Sequence, residues 1–167
     1  MKMLQVNIEG LALDMTTNTP VVILSPENDE RVLPIWIGHA EAWAIAMELS
    51  GVGSKRPLTH DLMKQVIELL EARITRVEIT ELREQTFYAV VHLAVNGDGR
   101  KLDARPSDSI ALALKSGCPI FVNAELFENR PDIQTENEQT PPMPTDRESL
   151  RERLKKINPE DFGKYQL

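Results

Sequence analysis

Two short segments of this chain carry residue types that could do chemistry at a useful spacing. The first is Pro57-Leu58-Thr59-His60-Asp61, preceded by Lys55 and Arg56. Thr59 is a good N-cap, which predicts a helix with His60 and Asp61 in its first turn. A helix N-terminus presents free N–H groups and the positive end of a dipole, which suits a phosphate. Lys55 and Arg56 add cationic groups, and His60 could act as a general base or a ligand. The same residues have a plainer reading, with Thr59 capping, Asp61 answering the dipole and His60 at the surface.

The second segment is Asp103-Ala104-Arg105-Pro106-Ser107-Asp108. Strand alternation puts Asp103 and Arg105 on one face, and Asp108 begins the next helix. Two carboxylates and a guanidinium where a strand enters a helix could form a divalent-metal and phosphate site. The plainer alternative is an ion pair between Arg105 and a carboxylate, with Ser107 or Asp108 as cap. Glu41 is a third candidate: an acid in the first turns of an otherwise apolar helix must find a partner or shift its pKa. Gly-rich phosphate loops, Cys-x-x-Cys, His-Glu-x-x-His and Gly-x-Ser-x-Gly do not occur in the chain.

The elements that must position these residues are readable from periodicity. Alternation over Val6 to Leu13, the apolar run Val21 to Leu24 and the segment Arg31 to Ile37 predict three strands, the second buried on both faces. Pro34 marks the third as an edge strand or a bulge. Gly38 opens and Gly51 closes a helix that is apolar nearly all round, and so buried. Its acids Glu41 and Glu48 lie seven apart on one line of its surface, Glu48 expected solvated. A second helix from Thr59 carries the apolar stripe Leu62, Val66, Leu69, Leu70. Strands follow at Val77 to Thr80 and Phe87 to Val95, then a hairpin at Asn96-Gly97 and a strand from Arg100 to Ala104. A third helix starts at Pro106 or Ser107 and ends at Ser116-Gly117, before a short strand at Ile120 to Val122. His92 is expected to be structural, facing away from Ala89 and Val91. Trp36 and Trp43 are expected to pack, His39 to cap or lie at the surface, and Cys118 to be unreactive.

A shift of 67 residues aligns Glu41–Met47 with Asp108–Leu114. In each copy a strand runs into an Ala-rich helix with an acid in its first turns, which suggests two related strand–helix halves. The fold class expected is therefore α+β: a mixed or antiparallel sheet with packed helices and a short C-terminal helix. Residues 1–127 form the domain. Residues 128–146, with Thr140-Pro141-Pro142-Met143-Pro144, read as a flexible linker. Residues 147–167 hold a helix with the narrow stripe Leu150, Leu154, Ile157, stopped by Asn158-Pro159.

Bulk properties narrow the function classes. The 167 residues are 41% hydrophobic and 27% charged, ordinary for one globular domain. Nineteen Lys+Arg against 26 Asp+Glu give a net charge of −7, which argues against coating nucleic acid by bulk electrostatics. It leaves room for an enzyme with a local basic lip. One cysteine fits a reducing, cytoplasmic setting. No apolar run approaches the ~20 residues that span a bilayer, and the N-terminus lacks a signal-peptide pattern.

Taken together, Leu33-Pro34-Ile35-Trp36-Ile37-Gly38, Glu41-Ala42, Arg56-Pro57-Leu58-Thr59-His60-Asp61-Leu62, Thr86-Phe87-Tyr88-Ala89 and Asp103-Ala104-Arg105-Pro106-Ser107-Asp108-Ser109-Ile110 resemble the bifunctional nuclease (BFN) domain family. The likeness runs in order over residues 4 to 127, and Asn158-Pro159-Glu160-Asp161-Phe162 also looks like bacterial members. The resemblance implies phosphodiester hydrolysis of DNA and RNA aided by Mg²⁺ or Mn²⁺. It would put Glu41, Asp103 and Asp108 on the metal, Arg105 on the scissile phosphate and His60 at the water, with Asp61 among the catalytic residues. A homo-oligomer is expected. The competing reading is a non-enzymatic homo-oligomeric binding or regulatory module whose motifs hold an interface. A third is a site for a phosphorylated metabolite at the Thr59 helix start.

Overall fold

The structure is a computed structural model that describes residues 1–128. The Pro-rich linker and C-terminal helix read from the sequence lie outside the described residues. Within them, β1 (Met3–Asp14), β2 (Thr19–Pro26) and β3 (Leu33–Trp36) form an antiparallel meander that feeds α1 (His39–Ser50). After α2 (Thr59–Leu69), the pattern repeats: β4 (Ala72–Arg83), β5 (Thr86–Val95) and β6 (Asp98–Ala104) form a second meander that feeds α3 (Pro106–Ser116). A last strand, β7 (Ile120–Asn123), and a 3₁₀ turn at Ala124–Phe127 complete the domain. The strand order is β3-β2-β1-β7-β4-β5-β6, so β7 joins the two meanders. It runs antiparallel to β1 and parallel to β4, making one mixed seven-stranded sheet. The α+β class holds, and the two strand–helix halves sit at mirrored places in the strand order.

Local chemistry explains the elements. Gly51 and Gly117 end α1 and α3 in left-handed conformations, φ 70° and 65°, where a side chain would be strained. Asn96 and Gly97 both take positive φ, which gives the two-residue hairpin between β5 and β6 the twist its strands need. Val21 to Leu24 are fully buried on β2. Val22 and Leu24 face the main core, Val21 and Ile23 a smaller cluster with Ala12, Val32 and Trp36 on the other side. Pro34 sits on β3, an edge strand, where a missing N–H costs nothing. The main core joins the sheet to α1 and α3 through Ile45, Ile110, Ala111 and Leu112 against Val77, Ile79, Val91 and Val122. Burying one such aliphatic side chain is worth ~1.5–3 kcal/mol.

Two expectations change, and the direction of the α2 stripe becomes clear. The α2 cap is Leu58, not Thr59: no side chain caps the helix, and Asp61 instead accepts from the Leu58 N–H at 2.9 Å. In α1 the core side holds Ala42, Ala44, Ile45 and Ala46, while Ala40 and Leu49 are exposed, so the helix is not buried all round. The stripe on α2 faces solvent, with Leu62, Val66, Leu69 and Leu70 all exposed. No helix among the described residues is long and apolar enough to cross a membrane.

Candidate functional site

Glu41 and Asp108 occupy the same place in their helices, the third residue of α1 and of α3. The two helices run side by side in the same direction, because contacts join their starts and their ends. At the start, Arg105 binds both acids: Nε donates to Asp108 Oδ2 at 2.7 Å and Nη2 to Glu41 Oε1 at 2.6 Å. At the end, Lys115 Nζ lies 3.0 Å from Glu48 Oε2. The pairs 41/108 and 48/115 share the offset of 67 that appears in the sequence. Glu48 is exposed, as expected, and is ion-paired as well. Gly38 makes the first contact feasible: a Cβ there would collide with the Glu41 carboxylate.

α2 enters through His60 and Asp61. His60 is buried, and its Nε2 lies 2.9 Å from Asp108 Oδ1. With the Nε2 proton directed to the carboxylate, Nδ1 of the neutral ring is left as the acceptor. Asp61 turns the other way and accepts from Lys115 Nζ at 2.6 Å. Two linked networks result. One runs His60–Asp108–Arg105–Glu41, and the other joins Glu48, Lys115 and Asp61.

Beside them lies a groove of about 390 Å³ whose lining includes Glu48, Lys55, Arg56, His60, Asp61 and Lys115. That volume falls within the range of small-ligand sites. Lys55 and Arg56 are exposed at its edge, and neither is ion-paired among the described residues. Arg105 is exposed as well, and its Nη1 donates to none of the described residues. The carboxylate acceptors are therefore ion-paired, while Lys55 and Arg56, exposed and without ion pairs among the described residues, edge the groove, an arrangement suited to an anionic ligand.

Of the six residues singled out in the sequence, five fall in these networks and Asp103 does not. Asp103 pairs with Val90 across β5 and β6 and points from the sheet away from Ala104, which is the residue in register with the buried Ala89. Arg105 has already left the strand as the α3 N-cap, so the two do not share a face. Glu41, Asp103 and Asp108 thus do not converge, and the guanidinium of Arg105 stands between the two that do come close. Among the described residues no three His, Cys, Asp or Glu side chains form a group that could hold a metal ion. As placed, these residues do not fit a Mg²⁺ or Mn²⁺ centre. Lys115 is the site residue that sequence reasoning missed; the available signal was that it falls one position past the seven-residue echo, opposite Glu48 at the same offset.

The electrostatics follow from the pairings. Burial alone would raise the Asp108 carboxyl, but hydrogen bonds from Arg105 and His60 outweigh it and hold it below the ordinary value. The Lys115 hydrogen bond does the same for Asp61. Burial would lower the Lys115 ammonium, yet Asp61 and Glu48 raise it overall. The Arg105 guanidinium is raised by Asp108 and then Glu41. The lowered carboxyls contribute stability that is complete above the ordinary carboxylate value near 3.8 and is lost as pH falls below it. The raised lysine contributes stability that is complete below 10.5 and is lost above it. Thermal melts should therefore fall as pH drops below the carboxylate limit and again as it rises above the lysine limit. Asp61→Asn with Asp108→Asn should flatten that acid limb in part, since Asp14 and Asp29 are lowered too. An acid limb unchanged in the double variant would show that these networks do not govern acid stability.

The other groups considered lie apart. His92 faces the outer side of the sheet, with Nε2 2.8 Å from Glu78, which also binds Arg76 at 2.8 Å. Trp36 packs in the smaller cluster and donates Nε1 to Asp14 at 2.9 Å. His39 is exposed, its Nε2 3.0 Å from the Asn18 carbonyl oxygen. Burial pushes the Cys118 thiol up, which disfavours the reactive thiolate.

Comparison with known proteins bears on the same region. The family model described as the bifunctional nuclease domain matches residues 22–135. An uncharacterized protein of Mycobacterium tuberculosis is 40% identical over 162 residues, covering 95% of this chain and 97% of that one. Bifunctional nuclease 1 of rice, Oryza sativa subsp. japonica, is 26% identical over 119 residues, covering 70% of this chain and 36% of the rice protein. Bifunctional nuclease 1 of Arabidopsis thaliana is 24% identical over 111 residues, covering 64% and 34%. The chain thus spans about a third of the length of these plant relatives.

Proposed function

The chain belongs to the bifunctional nuclease domain family, and from that premise we propose that it is a cytoplasmic, self-associating nuclease that hydrolyses phosphodiester bonds of DNA and RNA at the junction of α1, α2 and α3. The observation that carries this reading is the His60–Asp108–Arg105–Glu41 chain beside a groove edged by Lys55 and Arg56. Asp108 fixes the orientation of His60, as a general base requires. The base takes a proton from water or, on RNA, from the 2′-hydroxyl. The resulting oxygen attacks phosphorus, the P–O bond to the leaving oxygen breaks on the far side, and that oxygen takes up a proton from solvent, to which the base later releases its own. Arg105 offers its outward edge to the non-bridging oxygens, and Glu41 and Asp108 hold that guanidinium in place. Lys55 and Arg56 steer the polyanion toward the groove. No step here is routed through a metal.

The test is a cleavage assay on labelled single- and double-stranded DNA and RNA, with Mg²⁺, with Mn²⁺ and with EDTA. Wild type and His60→Ala, purified identically, are run together. Cleavage by wild type is expected, with His60→Ala slower by about 10²-fold or more. Equal activity in both preparations would point to a contaminating nuclease. Absence of cleavage by wild type would favour the non-enzymatic module, a reading that the mutual pairing of Glu41, Arg105 and Asp108 also suits.

A further inference from the structure

α2 is an amphipathic helix turned outward. At about 100° per residue, Leu62, Val66, Leu69 and Leu70 share an arc of roughly 100°, with Met63 at its edge. They are 56%, 46%, 82%, 68% and 37% exposed, in that order for the first four and then Met63. The side that faces the domain carries the buried His60 and the core-packed Ile67. Lys64 and Glu68, the ionic residues within the stripe's span, pair with each other at 3.5 Å on the side of the helix away from it. Five large apolar side chains thus form a patch of roughly 500 Å² without a charge, larger than scattered surface residues explain.

We propose that this face is where a second copy of the chain docks, through antiparallel α2 helices crossing at Val66. This names the surface for the self-association in the reading above and rests on that part of it. The face is self-complementary under a twofold axis. Centring on Val66 sets Leu62 against Leu70 of the partner subunit and Met63 against Leu69 of the partner subunit, so apolar meets apolar at every position. No like charges are brought together, because Lys64 and Glu68 lie outside the contact. Two copies of the patch bury on the order of 1,000 Å², the lower bound for a specific interface. Docking leaves His60 and Asp61 on the domain side of α2, so each groove stays with its own subunit.

The experiment is sedimentation of the full chain at tens of micromolar, for wild type and Val66→Glu. Wild type is expected to be dimeric. Val66→Glu, at an exposed position, should keep its circular dichroism and dissociate about tenfold or more readily, because two carboxylates would meet at the axis. In a Cys118→Ser background, Val66→Cys should cross-link on oxidation and Lys64→Cys should not. A monomeric wild type would overturn both self-association and this face. A dimer untouched by Val66→Glu would overturn the face alone, whatever the nuclease assay gives. A monomer in which Leu150→Asp with Leu154→Asp raises hydrophobic dye binding would assign the face to the chain's own C-terminal segment instead of a second copy.

Discussion

Asp108→Asn is expected to slow phosphodiester cleavage by roughly 10²–10⁴-fold with the fold intact. The carboxylate serves two donors at once, His60 Nε2 at 2.9 Å and Arg105 Nε at 2.7 Å. A carboxamide has one acceptor oxygen and brings a donor of its own. One of the two partners is then faced by an NH₂ group. If it is His60, the ring turns to the other tautomer, and Nδ1, now protonated, can no longer accept a proton. The loss should fall in kcat, with KM near wild type, because Lys55 and Arg56 still attract the substrate. Asp103→Asn provides the contrast. Asp103 is exposed on β6 with no described contact to the network, so this variant should cleave at the wild-type rate. Steady-state kinetics of both variants decide the matter. Full activity in Asp108→Asn would remove His60 as the base, and a collapse in Asp103→Asn would return the chemistry to the outer side of the sheet.

Lys115→Met is expected to lower the melting temperature by about 4–8 °C. The ammonium lies within 3.0 Å of Glu48 and 2.6 Å of Asp61, with 10% of the side chain exposed. It thereby ties the end of α1 and the start of α2 to α3. Removing it leaves two carboxylates facing each other without a cation. Breaking a fully buried pair costs ~3–5 kcal/mol. Glu48 and Asp61 keep about a third of their side-chain surface in water, so screening brings the figure to about 2 kcal/mol. Adding Glu48→Gln and Asp61→Asn to Lys115→Met should recover most of the loss, since no unpaired charge remains. Calorimetry of the single and triple variants measures this directly. A single variant as stable as wild type would mean that α2 is held by its apolar contacts alone.

The two networks divide the labour of the three helices. The Lys115 network fixes α2 against α1 and α3. That placement brings His60 to Asp108, 48 residues away in the chain. The Arg105 network then joins the starts of α1 and α3, where both helix dipoles are positive and each carries an acid in its first turn. The stability of the Lys115 network and the geometry of the Arg105 network are coupled, so a helix displaced by an ångström would separate His60 from Asp108.

Much of this was legible in the residues themselves. The apolar run Val21 to Leu24, the glycines that end α1 and α3, the Asn96-Gly97 turn and the edge position of Pro34 all report backbone constraints that act within a few residues. Local steric rules govern such features, so they survive without knowledge of the rest of the fold. The 67-residue echo was legible for the same reason, since each copy is a local strand–helix pattern. So was the need of His60, Arg105, Asp108 and Glu41 for partners, because charged and imidazole groups near helix starts cannot be left uncompensated.

Tertiary structure alone decided the partners. Alternation says which residues of a strand share a face, but Arg105 had already left the strand, so its guanidinium went to Glu41 on another helix while Asp103 stayed on the outer side of the sheet. Glu48 is exposed as its sequence setting suggests, and only the packing of α1 beside α3 brought Lys115 to it. The stripe on α2 had the spacing of a core face, and spacing cannot tell whether the apolar surface that covers it comes from the same chain. The fold turned His60 and Ile67 inward, because Lys115 and Asp108 claimed the polar end of α2, and left Leu62, Val66, Leu69 and Leu70 facing out.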